Sequence, residues 1–366
     1  MTEEKYPFYF KCTVILFGLS ISVFILWILR DVLVPVCFAG LIATLLNPLC
    51  NKLQRRMPRV VAILLVILVA LLLTTGVLYF LSSQIASFFE NLDAVKVRFN
   101  NMIGDIQQWL EQKLGIASEK QVEMVKDAVN NSKAVIGQTL SGIMGVLAVV
   151  FLIPVYTFLL MFYKTLILNF LFEVFSKKNT EKVGDVLAET KTAIQSYVVG
   201  LLLETTLVAI LNCTALLLIG IENAILIGVI GAILNLLPYI GGIVAIALPV
   251  LMATLTKDGF SAQLLVIGAY AVIQFIDNNI FMPRIVSSKV QINALVSIVI
   301  VLMGAGLWGI SGMFLSIPFI AVLKIVFDRV DDLKPWGKLL GDNVPTRQLG
   351  QVLKLTRKRK GEGIKV

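Results

Sequence analysis

The chain has 366 residues, 58% of them hydrophobic and 15% charged, with a mean hydropathy of +0.89. A soluble protein of this length must clothe its surface in polar side chains, and this composition leaves too few of them. The net charge is +9 and there is no histidine, which excludes Ser-His-Asp and Cys-His catalysis, His-ligated zinc and a switch built on imidazole. The composition implies an all-α polytopic membrane protein, because its apolar runs reach bilayer length.

Cys12 to Leu29 is an apolar run preceded by Lys5 and Lys11. It lacks a small-residue cleavage site and leads through Arg30-Asp31 into a second apolar stretch, so it is expected to be an uncleaved first span. The second span, about Val32 to Leu49, ends at Asn47-Pro48 and is followed by Lys52, Arg55, Arg56 and Arg59 without an acid. Such a basic loop marks the cytoplasm, which puts the N-terminus inside and sends the third span, about Val60 to Leu81, outward. These three spans form the first unit, residues 1–83.

Residues 84–140 are more polar and carry a helical stripe that includes Ile85, Phe88, Leu92, Val95, Phe99, Ile103 and Leu110. Leu114-Gly115 interrupts it, and Ser118 with Gln121 has the pattern of a capping box opening a second helix. This predicts an extracytoplasmic amphipathic helical hairpin. Self-packing, an oligomer contact and rest on the membrane surface all fit its stripe.

Residues 141–199 hold a fourth span, about Gly142 to Tyr163 with Pro154 inside it, and a cytoplasmic amphipathic helix from Thr180 that runs into a fifth span, about Val198 to Ile219. Residues 200–330 form the expected transport core. Its segments Asn223–Leu255 and Ala294–Phe327 would each be roughly 50 Å long as straight helices, against a hydrocarbon core of about 30 Å. Each is interrupted, the first at Asn235, Pro238, Tyr239, Gly241 and Gly242, the second at Gly304, Gly306, Gly309, Gly312 and Pro318. Non-helical backbone at membrane depth is tolerated where protein or a water-filled cavity satisfies it, so paired broken segments point to a transporter's binding site. The glycines of the second segment also fit simple close packing of helices. Both re-entrant hairpins and single crossings are compatible with the loop charges, and both leave the C-terminus in the cytoplasm. A plainer span, Ala262 to Ile276, separates the two and ends in Asp277-Asn278-Asn279.

Residues 331–366 form a tail with nine Lys or Arg against four Asp or Glu. Its cluster Lys354, Arg357, Lys358, Arg359 and Lys360 is expected to face the anionic inner leaflet rather than nucleic acid. The four cysteines have no CxxC spacing and read as small apolar residues, so no metal and no cofactor is expected.

With these residues in place, the pattern resembles the autoinducer-2 exporter (AI-2E) family of bacterial membrane proteins. The resemblance rests on Pro238-Tyr239-Ile240-Gly241, on Asp277-Asn278-Asn279 through Pro283, and on the glycine-rich stretch from Gly306 to Pro318. It implies about seven or eight spans in the bacterial inner membrane, a homo-oligomer, and export of a small polar solute or ion, with sodium (lithium)/proton antiport in some members. Two features depart from the pattern: Tyr197 is followed by apolar residues rather than an Arg/Gln pair, and Asn293-Ala294 stands where a proline is common.

Ionisable groups within spans are functional candidates by default, which singles out Glu204 and Asp277; an interfacial helix cap or a pair with Arg284 is the alternative role for Asp277. Asn235, Asn278 and Asn279 add neutral oxygens suited to Na⁺ or a hydroxylated solute, or to satisfying broken-helix backbone. No HExxH, GxSxG or Walker A motif accompanies them, so an enzyme is not expected. A channel or membrane scaffold is the competing class.

Overall fold

The computed structural model describes residues 7–90, 104, 151–175, 180–236, 241–257, 259–286 and 292–342. Most of the expected external hairpin, Pro238 and Tyr239, and the basic cluster from Lys354 to Lys360 lie outside the described residues. Among those described, every regular element is a helix and no strand occurs.

The chain opens with α1 (Phe8–Ile28), α2 (Arg30–Leu53) and α3 (Arg59–Glu90). Then come α4 (Phe151–Phe162), α5 (Lys164–Phe175) and the long α6 (Thr180–Ile219). The core is completed by α7 (Ala224–Asn235), α8 (Gly241–Thr256), α9 (Ser261–Ile276), a π-helical segment (Asp277–Val286), α10 (Ala294–Arg329) and the short α11 (Lys334–Leu340). Among the described residues five helices, α10 at its full length included, are long and apolar enough to cross a bilayer, or six if the bent pair α4–α5 counts as one span. α1, α7 and α8 contribute shorter apolar stretches of 10–17 residues, which this length criterion does not count toward the expected seven or eight.

Each broken segment folds back on itself. In the first, a side chain on Gly241 would run into the Leu234 carbonyl, and one on Gly220 would lie 3.3 Å from Lys257 Nζ, so tip and base both pair antiparallel. In the second, helical geometry fails at Trp308 (φ −131°) and Gly309 (φ +62°, ψ −141°). That conformation is open essentially to glycine alone. Beyond the turn, Gly312 packs on Gly304 too closely for a Cβ on either, and Ser316 Oγ donates to the Ile300 carbonyl across the hairpin at 3.0 Å. Gly306 meets nothing within 4 Å, and Pro318 is accommodated inside the returning arm.

The hairpins come from opposite ends of α6. The base of α7–α8 follows directly on Ile219, whereas the base of α10 is tied to the other end, where Arg329 donates to Asp185 (3.0 Å) and Glu189 (2.9 Å). Lys182 pairs with Asp331 at 3.2 Å beside them. At 40 residues, α6 is about 60 Å long, so the half before Tyr197 extends beyond a bilayer-spanning length. The amphipathic segment and the fifth span are thus one continuous helix.

In lipid, helices associate through close packing and hydrogen bonds rather than expulsion of water. A Cβ on Gly228 of α7 would fall 2.7 Å from Cys213 Sγ on α6, and Asn212 Nδ2 donates to the Gly228 carbonyl at 3.3 Å. Leu216, Ile227, Met252, Val266 and Tyr270 close the same interface from four helices. A separate cluster around Ile63, Val66 and Met161 joins α2, α3 and α4. The sharp bend near the fourth span, 62°, falls between Phe162 and Lys164 rather than at Pro154, which lies inside α4.

Candidate functional site

Heptad-like spacing along α6 buries Tyr197, Leu201, Glu204, Val208 and Asn212 on one face. The face of α9 turned toward it carries Gln263, Tyr270, Ile273, Gln274 and then Asp277, where the α-helix widens into the π-helical segment. The two faces bring Glu204 and Asp277, 6% and 2% exposed, together. Their carboxyl groups lie close enough for their charges to interact. Among the described residues neither forms an ion pair with a cation, Arg284 included.

The tip of the first hairpin completes the site. Asn235, the last residue of α7, donates from Nδ2 to Asp277 Oδ2 at 2.9 Å, and Gln274 Nε2 approaches the same oxygen at 3.5 Å. Gly242 opens α8 beside them: a Cβ there would press on the Gln274 side-chain oxygen and sit 3.6 Å from Asn235 Oδ1. The glycine therefore lets the start of α8 approach the two amides.

A cavity of about 10 Å³ lies against this cluster, lined by Asn212, Asn235, Tyr270, Gln274 and Asp277 together with Val208, Gly231, Ala245 and Ile273. It is about large enough for one water-sized body. Several buried polar atoms around it have no hydrogen-bond partner among the described residues: Glu204 Oε2, Asp277 Oδ1, Asn212 Oδ1 and Tyr270 OH. Unpartnered polar atoms at this depth are expensive and call for a ligand, a water or a proton.

Of the residues singled out in the sequence, Glu204, Asn235, Asp277 and Gly242 meet here, with Gly241 at the start of α8. Asn278 and Asn279 are exposed; Asn278 Oδ1 accepts from Gln274 Nε2 at 3.3 Å at the edge of the site, whereas Asn279 donates to its own helix at the Phe275 carbonyl, 2.8 Å. Gly306, Gly309, Gly312 and Pro318 shape the second hairpin, whose returning arm packs Phe314 and Ile317 against Tyr197 and Leu201. Asn212, Tyr270 and Gln274 were not singled out. Their signal was there, as polar residues three, seven or eight positions from Asp277 or Glu204 along otherwise apolar helices.

Two hairpins that stop inside a helical bundle, with buried acids at the tip of one, define a multi-pass membrane protein of transporter type. The chain matches the model of the AI-2E family transporters over residues 16–332 and belongs to that family. It is similar to the AI-2 transport protein TqsA of Escherichia coli (strain K12), 27% identical over 320 residues that cover 85% of this chain and 90% of that protein. It is also similar to YueF of Bacillus subtilis (strain 168), named "Putative transport protein", at 25% identity over 318 residues covering 80% and 82%. This is a bacterial transporter family, and membrane transport is the function that membership supports.

Proposed function

We propose that the chain is a secondary transporter of the bacterial inner membrane that exports a small polar solute or ion in exchange for protons, with both termini in the cytoplasm. The observation that carries this is the Glu204–Asp277 pair, two buried carboxyl groups facing each other without a cation at the tip of a broken helix. Such a pair has room for one proton or one monovalent cation between its oxygens. Competition for that place, with hairpin movements opening it to one side and then the other, couples the two fluxes.

The small oxygen-lined cavity favours a second version of this reading, sodium or lithium/proton antiport. A bare alkali ion suits carboxylate, amide and phenol oxygens. The homo-oligomer implied by the family resemblance belongs to the same proposal. A channel or scaffold is the competing class.

The experiment is a pH-gradient dye assay in proteoliposomes, adding Na⁺, Li⁺ and K⁺ in turn. Collapse of the gradient on adding Na⁺ or Li⁺, and not K⁺, supports antiport. A gradient-driven flux of the autoinducer-2 signal without a cation response supports solute export. Absence of any coupled flux, or single-channel currents in its place, would overturn the transporter reading.

A further inference from the structure

The joint between α4 and α5 gathers basic side chains that no acid neutralises. Arg59, at the start of α3, donates from Nη2 to the Met161 carbonyl at 3.0 Å and lies 5.7 Å from the centre of the Phe162 ring. Lys164, the first residue of α5, donates from Nζ to Oδ1 of buried Asn47 at 2.9 Å. Lys191, exposed on α6, stands close enough to repel it. Partial burial, then Lys191 and Arg59, push the Lys164 amine below the usual lysine pKa. Among the described residues none of the three cations has a carboxylate partner; the ion pairs lie elsewhere, at Asp31, Asp185, Glu189, Asp328 and Asp331. An arginine has five N–H donors and a lysine three, so the bonds above leave most of them open.

The same joint fixes the depth of the cluster. After Phe162 the chain turns by 62° into α5, a helix with no buried residue whose Leu166, Phe170, Val174 and Phe175 are all exposed. A short helix with bare apolar side chains, bent away from a span, lies along the boundary between headgroups and acyl chains. Tyr163, half exposed at the corner, suits that boundary as aromatic residues do. The three cations therefore sit at headgroup level, in the angle between a spanning helix and a surface helix.

We propose that Arg59, Lys164 and Lys191 form a site for the phosphate of an acidic phospholipid, whose acyl chains follow the exposed apolar surfaces of α4 and α5. The planar guanidinium grips two phosphate oxygens and the lysines supply point charges. Each cation at this depth attracts an anionic lipid, so three converging cations select it over a zwitterionic one. The exposed Lys52, Arg55 and Arg56 in the neighbouring loop add to the field.

The test is native mass spectrometry of the full chain titrated with phosphatidylglycerol or phosphatidylcholine in mild detergent. Wild type is expected to retain phosphatidylglycerol about tenfold better than phosphatidylcholine. The double variant Lys164→Gln/Lys191→Gln should lose that preference, while Lys257→Gln at the base of the first hairpin, the charge-matched control for Lys191→Gln, should keep it. Lys191→Gln alone, at an exposed position, should reduce retention about threefold and guards against misfolding of the double variant. Equal retention by the double variant and wild type overturns the proposal. So does full displacement of the lipid by millimolar inorganic phosphate, which would make this a site for the free anion.

Discussion

In the proposed exchange Glu204 and Asp277 carry the coupling, and each can be neutralised with little change of shape. Glu204→Gln and Asp277→Asn are expected to lower proton-coupled flux in proteoliposomes at least tenfold, with an unchanged gel-filtration profile. Wild-type flux in both variants at matched reconstitution would remove the carboxyl pair from the mechanism. Tyr270 separates function from stability more sharply. Its hydroxyl is buried against the cavity without a hydrogen-bond partner among the described residues, so Tyr270→Phe breaks no protein bond and should change thermal stability by less than about 0.5 kcal/mol. A fall in transport at that unchanged stability would place the hydroxyl on the ligand; unchanged transport would leave it a bystander.

At the scale of elements, the hairpins decide where those residues meet, and their glycines are not equivalent. Gly309 turns the second hairpin at φ +62° and ψ −141°, so Gly309→Ala should destabilise the fold by about 1–3 kcal/mol. Gly306→Ala, in open space within a helical arm, should be neutral or stabilising by up to about 1 kcal/mol. Equal melting shifts for the two variants in detergent would show that the turn does not hold the hairpin. This contrast also marks what the sequence could and could not convey. Apolar length, the basic loop after α2 and the Pro/Gly interruptions exposed the spans, the broken segments and the acids. They did not distinguish a folded-back arm from a crossing, because both have the same composition; only the pairing of Gly304 with Gly312 and of Gly241 with Leu234 decides it. Asn293 shows the same limit. It reads as a missing proline, yet its Oδ1 accepts from the Val296 N–H while its Nδ2 donates to the Leu339 and Gly341 carbonyls, fastening α11 to the start of α10.

At the scale of the whole molecule, the long α6 is anchored to the base of the second hairpin by Arg329, Asp185, Glu189, Lys182, Asp331 and Lys334. Hydrogen bonds from Lys334 and Lys182, together with their charges, hold the Asp331 carboxyl below the usual aspartate pKa. A depressed carboxyl stabilises the linkage above its unfolded value, about 4, and that contribution is lost as pH falls through the lower folded value. The Arg329 guanidinium is held above its usual pKa by Glu189 and Asp185, so it stays charged over the whole working range. Fluorescent labels at Glu181 and Asp332 should therefore move apart as the pH falls below about 4. They should separate in 1 M salt at neutral pH as well, since exposed pairs are screened. An unchanged separation under both conditions would mean that side-chain packing, not charge, holds α6 to the hairpin.

In the proposed exchange the two hairpins, one rooted at each extremity of α6, would serve as similar gates toward either compartment. Nothing in such a layout acts as a ratchet. A carrier built this way runs wherever the steeper chemical potential drives it, and reversing the imposed gradients across a vesicle should make it run backwards.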